Sequence, residues 1–399
     1  MTHTLPALAL FLALLAALPA AAQDAPPQTF KAFLEELWPD AQAKGVTRAT
    51  FDLAFAGVTP DARVMGATRR QPEYGKPFGG YIALMVSPGR ISTGKSKASE
   101  WADTLAAVEK AYEVDPSVIV AIWGVESSYG AGRDKWDVIR SVATLAHARW
   151  RHPYFRNELL AALTVLQGGH IARRKMLGSW AGAMGQTQFM PSNFMDLAVD
   201  FSGDGKRDIW TNVPDVLGST ANYFKRSGWK AGLPWGFEVV VPKDFDYRKS
   251  RASFTDWQGL GLKRADGGAW PDAGEAILFF PTGAAGPAFL VTENFVTIKR
   301  FNNSDVYALA VGHLADRIRG GGPIRTAWPP GDRQLTREER IAVQKKLVEL
   351  GYKVRNVTGH FDFDLRDHIR EVQTKFGMVA DGHPSAALLE RLGVKRTAD

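Results

Sequence analysis

The chain reads as a mainly α (α+β) protein: a helical core, a small β-containing subdomain and a C-terminal module of three helices. Three observations predict this. Apolar residues recur at three- and four-residue spacing from Phe30 to about Arg226, and again from Asn303 to Ile318. Between about residues 229 and 300, short β-branched and aromatic runs are separated by turn residues. Beyond a Gly/Pro-rich stretch come three short amphipathic segments. At 399 residues, more than one compact unit is expected.

At the N-terminus, residues 5–18 are almost uninterruptedly apolar, and Ala20, Ala21 and Ala22 precede Gln23. That pattern predicts a secretory signal, residues 1–22, cleaved after Ala22. The run is short for a membrane span, which takes about 20 apolar residues, so an uncleaved anchor is the alternative and an exported chain with no stable span the reading. Residues 23–322 form the main unit. Within it, Asp115 is placed to cap a helix, Pro116 to open it and Gly130 to end it. Strands are expected at residues 237–242, 276–281 and 288–291. A returning helix carries Tyr307, Ala310, Val311 and Leu314 on one stripe. Residues 323–332, between Gly320-Gly321-Gly322-Pro323 and Pro329-Pro330-Gly331, read as a linker. The module at 333–395 opens with a capping box, Thr336 and Glu339. Leu365, Ile369, Val372 and Phe376 mark its second helix, and Pro384 opens a third with Leu388, Leu389 and Leu392.

Composition excludes several chemistries. The chain has no cysteine, so disulfides, thiolate metal sites, a cysteine nucleophile and lipoprotein-type lipid attachment are all ruled out. No glycine fingerprint follows a plausible strand, and the eight histidines show no metal-ligand spacing, so no organic cofactor is expected. The net charge of +7 survives loss of residues 1–22, which carry no Asp, Glu, Lys or Arg. A basic exported chain suits an acidic polymer such as a cell wall. Its basic residues are scattered without a nucleic-acid motif, which makes nucleic acid the weaker partner.

Glu126 is the most informative residue. It ends an otherwise apolar helical run, sharing a face with Ile122 and Trp123. Apolar neighbours disfavour a charged carboxylate, the condition a proton donor needs, although a capping or surface role is the bland alternative. A second segment, residues 182–192, combines small residues with the amides of Gln186 and Gln188, a mixture suited to a neutral hydroxyl- and acetamide-bearing ligand. A third, Asp200-Phe201-Ser202-Gly203-Asp204-Gly205-Lys206-Arg207-Asp208, has oxygen side chains at positions 1, 3, 5 and 9 and Gly at 6 of an EF-hand-like calcium loop. Thr211 stands where a bidentate Glu is usual, and Asp215 replaces it only if the loop is longer. Any calcium here is structural, held by Asp200, Ser202, Asp204, Lys206 and Asp215; none is required for the chemistry.

Gly124-Val125-Glu126-Ser127-Ser128-Tyr129-Gly130, residues 181–192, the acidic loop at 200–205 and residues 294–308 together resemble the lytic murein transglycosylase B family over about residues 28–318. The resemblance implies a lysozyme-like catalytic core acting on the glycan strands of peptidoglycan, in the periplasm. It places the single catalytic carboxylate on Glu126, acting as acid and then base, with a 1,6-anhydromuramoyl product formed without water. It also implies sugar contacts from Ser179, Met184, Gln186, Gln188, Phe301, Asn302 and Tyr307. Phe301 stands where the family often has Tyr. Arg151 and Arg149 are candidates for the substrate's acidic groups, with surface solvation the alternative. Trp123, Trp150 and Trp180 are read as core, with sugar stacking the alternative. Residues 333–395 resemble a peptidoglycan-binding domain through Leu350-Gly351-Tyr352, Gln373, Phe376-Gly377 and Asp381-Gly382, with an altered turn at Thr358-Gly359-His360-Phe361-Asp362. Two other functions stay open: a muramidase in which Asp134 or Asp137 directs a water, and a non-catalytic wall-binding scaffold.

Overall fold

The computed structural model describes residues 28–69, 77–132, 136–331 and 333–396. The expected signal segment and Asp134 lie outside the described residues. Among those described, no helix is long and apolar enough to cross a membrane.

The helix Pro116–Ser127 starts as its sequence predicts: the Asp115 carboxylate accepts the Ser117 N–H at 2.9 Å, with Pro116 in the first turn. Its end differs. Ser128 and Tyr129 take left-handed backbone, φ +50° and +60°, two residues before the glycine expected to stop it. Non-glycine residues rarely sit there, and local bonds hold these two. Ser127 Oγ accepts the Gly130 N–H at 3.1 Å, and the Tyr129 hydroxyl donates to the Arg90 carbonyl at 2.8 Å. The helix is sheathed by Pro88–Glu100, Val213–Arg226 and Asp305–Arg319. Val118, Ile119, Val120, Ile122 and Trp123 are buried, at about 1.5–3 kcal/mol for each large side chain.

A second helical core lies on the other side of the Gln-bearing segment. It joins Phe30–Ala43, Arg48–Phe55, Val138–His147, Tyr154–Gln167 and Pro191–Leu197 through Leu37, Phe51, Val142, Leu159 and Phe194. Two short strands, β1 (Trp136–Asp137) and β2 (Leu177–Gly178), pair antiparallel along its edge.

The remaining strands are β3 (Gly236–Val240), β4 (Arg251–Ser253), β5 (Lys263–Arg264), β6 (Glu275–Phe279) and β7 (Ala288–Val291). They form an antiparallel sheet in the order β4-β6-β7-β3-β5, with Phe237 opposite Leu290 and Leu278 opposite Leu290 on its other side. Alternation divides its faces. Phe279, Phe289 and Val291 meet the helical core, while Phe237, Leu278 and Leu290 pack on Phe254 and Trp257. The expected strand-rich region runs too far, because Glu293–Phe301 is a helix. Thr292 caps it, accepting the Asn294 N–H at 3.1 Å, and Phe295 and Ile298 bury at helical spacing.

The C-terminal module comprises Arg337–Glu349, Phe363–Lys375 and Ala386–Arg391 around Val343, Leu347, Ile369, Leu388 and Leu389. Both halves of the Thr336/Glu339 capping box are present. The third helix is capped by Ser385, one residue after the expected Pro384. The preceding stretch is no free tether. The Arg325 and Thr326 N–H groups donate to the Glu238 carboxylate at 2.7 and 2.8 Å, and Trp328 stacks on Phe78 at 5.3 Å. Gly and Pro in a sequence indicate a chain without regular structure, which is a different property from a chain without contacts.

Candidate functional site

Glu126 sits on the last turn of Pro116–Ser127, partly exposed where its neighbours Ile122 and Trp123 are buried. The Tyr307 hydroxyl, 181 residues away in sequence, donates to its Oε1. Tyr307 stands in the first turn of Asp305–Arg319, whose cap Ser304 accepts the Tyr307 N–H at 3.5 Å. Burial, and then the Glu126 charge, hold the Tyr307 phenol well above its ordinary value. It therefore stays a neutral O–H donor across the physiological range.

The Gln-bearing segment folds as a tight hairpin. Ser179 and Ala183 exchange a backbone bond at 2.8 Å, and Met184 pairs with Phe189 at 2.8 and 3.1 Å. Gln186 braces the acid's helix: its Oε1 accepts the Trp123 indole N–H at 2.7 Å and its Nε2 donates to the Trp210 carbonyl at 2.8 Å. A Cβ at Gly130 would collide with Gln186 Oε1, so the glycine right after the acid's turn allows this approach. Gln188, at φ +51°, donates to the Gly185 carbonyl at 2.9 Å.

The proposed sugar contacts separate on burial. Ser179, Gln188 and Asn302 are partly exposed, and Arg149 and Arg151 are exposed with left-handed backbone. Met184 is fully buried in the second helical core, so its side chain packs and does not face a ligand. Gln186 uses its Oε1 on Trp123 and one N–H on Trp210, which makes it a brace for the helix, and its side chain stays partly exposed. Phe301 joins the two halves, with ring centroids 5.9 Å from Phe189, 4.7 Å from Tyr223 and 5.9 Å from Phe224. Its ring thus fills an aromatic cluster, where the missing hydroxyl costs no buried bond. Trp123 is core, while Trp150 and Trp180 are half-buried at 5.9 Å, with the Arg151 guanidinium 4.4 Å over Trp150.

Sequence reasoning missed Arg90, Tyr129 and Ser304. Arg90 ties three carbonyls, of Leu84, Met85 and Gly124, at 2.9, 2.9 and 3.2 Å. Nothing in its local sequence points to this, whereas Ser304 ahead of Asp305 is a legible helix cap.

Asp137, a candidate water-directing acid, is otherwise engaged. It caps Val138–His147 by accepting the Arg140 N–H at 3.0 Å and pairs with Arg173 at 2.9 Å. In the acidic loop, carboxylate oxygens of Asp200, Asp204 and Asp215 lie within 4.8 Å of one another. Asp215 is wholly buried, accepting the N–H groups of Phe201, Ser202 and Asp208 at 2.9, 3.0 and 2.9 Å. Asp208 turns away to accept the Trp210 and Thr211 N–H groups, both at 2.9 Å. The later Asp215 therefore converges on the loop in place of Thr211. Three converging carboxylates, one buried, fit a hard cation with oxygen ligands. Ser202 and Lys206 are exposed on the same loop.

A family profile described as a transglycosylase SLT domain matches residues 29–316, and one described as a putative peptidoglycan binding domain matches 336–392. The chain is similar to membrane-bound lytic murein transglycosylase B of Escherichia coli K12, 32% identical over 249 residues, or 60% of this chain. That match spans 66% of the relative's own length, just short of two thirds. It is also similar to the crystal structure of SltB3 from Pseudomonas aeruginosa in complex with NAG-anhNAM-pentapeptide, with 46% identity and a TM-score of 0.83 over 92% of this chain and all of that one. Escherichia coli Slt35, solved in complex with calcium, shares 27% identity and a TM-score of 0.60 over 73% of this chain and 92% of its own.

Proposed function

The chain belongs to the lytic transglycosylase family, and from that premise we propose that it cleaves the bond between N-acetylmuramic acid and N-acetylglucosamine in peptidoglycan without water. Glu126 gives its proton to the glycosidic oxygen as the C1–O bond breaks. The muramic C6 hydroxyl then attacks C1, and its proton passes to the Glu126 carboxylate. The acid is regenerated and a 1,6-anhydro end remains. The muramic acetamido group stabilises C1 from within the substrate. Because the nucleophile is tethered, no second enzyme carboxylate is obligatory.

The observation that carries this reading is the partly exposed Glu126 at the end of a buried helix, oriented by a neutral Tyr307 O–H. The anhydro sugar bound to SltB3 supports the same product class. Ser179, Gln186, Gln188 and Asn302 are the partly exposed polar side chains assigned to sugars, and Arg151 to acidic substituents. The hydrolytic alternative loses one support, since Asp137 is held by Arg140 and Arg173. Digestion of purified sacculi by wild type and Glu126→Gln, read by mass spectrometry, tests the proposal. Anhydro ends are one water lighter than reducing ends. Reducing ends from wild type would overturn the non-hydrolytic reading, and unchanged lysis by the variant would remove Glu126 from it.

The C-terminal module is read as a wall-binding appendage that raises local substrate concentration. Peptidoglycan strands in the periplasm are the partner, with no nucleic acid. Calcium, where bound, would be held by Asp200, Asp204 and Asp215 and would supply a structural crosslink. Calorimetric titration against an Asp204→Ala control tests it, and no heat from wild type ends the idea.

A further inference from the structure

We infer that Arg366, in the C-terminal module, is a positioning residue for the acid Glu126, acting through Asp305 and Tyr307. The inference rests on the reading of Glu126 as the acid and deepens it, because it makes the module part of the active site's support.

The chain of contacts is short. Arg366 Nη2 donates to Asp305 Oδ2 at 2.7 Å, from a side chain only 8% exposed against one 13% exposed. Lys299 lies 2.6 Å from the other carboxylate oxygen, and its ammonium also donates to the module's Phe361 carbonyl at 3.1 Å. Asp305 opens the helix Asp305–Arg319, and two residues later, in the same turn, Tyr307 donates to Glu126. Tyr307 is fixed to the same turn, so a tilt of that turn carries the phenol with it. A misplacement of about 1 Å in catalytic geometry can cost on the order of a hundredfold.

The module is built to hold this junction. Arg366 is itself fixed by the Gly382 carbonyl at 3.2 Å and lies 4.9 Å over the Phe279 ring. Phe363, at the start of the same module helix, enters the main core edge-on to Phe279 at 5.7 Å. Arg370 donates to the Leu278 carbonyl at 2.7 Å, and Asp381 accepts the Ala284 N–H at 2.9 Å. A domain that served only as a tether would need none of these buried, charge-bearing contacts behind the acid's partner.

A soluble tetrasaccharide fragment of the wall, too short to profit from tethering, separates the two roles. Five proteins are compared on it: wild type, Arg366→Gln, Arg366→Lys, Tyr307→Phe and the double variant Arg366→Gln with Tyr307→Phe. Arg366→Gln is expected to lower kcat about tenfold with KM within about twofold, and Arg366→Lys to recover part of the loss. Because both act through one contact, the double variant should be no slower than the worse single variant. An unchanged kcat in a folded Arg366→Gln, or losses that multiply in the double variant, would overturn the inference. Where Arg366→Gln does not fold, the same cycle is run with Arg366→Lys, whose milder loss must still be non-additive with Tyr307→Phe. A wild type that yields no anhydro product would instead overturn the proposed function.

Discussion

Two carboxylates, joined by the first turn of Asp305–Arg319 and the Tyr307 hydroxyl, are treated in contrasting ways. Asp305 is locked between two cations in the interior. Burial opposes its ionisation, but Lys299 and Arg366 outweigh burial and hold the carboxyl down to about 2. Glu126 is partly exposed and faces a neutral phenol. A carboxylate clamped by cations cannot release and recover a proton near neutrality, so Asp305 is unfit for acid chemistry and fit to hold the turn that carries Tyr307. The comparison teaches that the fold puts a buried charge cluster behind the turn whose phenol meets the reacting group.

The contrast is broken most sharply at the acid. Glu126→Gln should reduce release of anhydro-muropeptides by at least about 1,000-fold while leaving the melting temperature nearly unchanged, as seen by chromatography and calorimetry on one preparation. Asp305→Asn should strike stability first. It leaves Lys299 and Arg366 uncompensated in the interior and should cost about 3–5 kcal/mol in urea unfolding. A stability loss under about 1 kcal/mol would show that water reaches the junction.

Acid sharpens the same contrast. The Asp305 carboxyl lies at about 2 in the fold against an ordinary 3.8, so its contribution is complete above about pH 4 and fades as pH falls towards 2. That is a loss on the order of 2 kcal/mol, visible as a steeper acid limb in wild type than in Asp305→Asn. The smallest effect belongs to the calcium loop. Calcium at ten times its Kd should add about 1.4 kcal/mol to wild type and nothing to Asp204→Ala, in paired thermal melts.

Much of this was legible because local rules governed it. Asp115 followed by Pro116, the pair Thr336 and Glu339, and the short branched and aromatic run at residues 276–281 each carry their own short-range physics, and each element is present. The misjudged ends have local causes of another kind. Ser128 stops a helix in a conformation its type rarely adopts, because Tyr129 and Ser127 find partners there. Glu293–Phe301 looked like strand because its aromatic and branched residues suit either period over so short a run. The site was legible in its residues more than in its wiring. Glu126 and Tyr307 were both named, yet no spacing rule predicts a bond across 181 positions. Met184 and Gln186 carried the motif, but their burial and bracing depend on a hairpin pairing with Phe189 and on Trp123 and Trp210 arriving from elsewhere. Arg366 drew no reading from the sequence, since its partner Asp305 lies 61 residues back.

The connector at 323–331, seated by Glu238 and Phe78, takes the slack out of the molecule. A floppy leash lets a blade swing through a volume set by leash length. With the leash stitched down, a C-terminal module that binds wall as proposed would hold the cut at one set stride from its foothold, a gauge as well as a cutter.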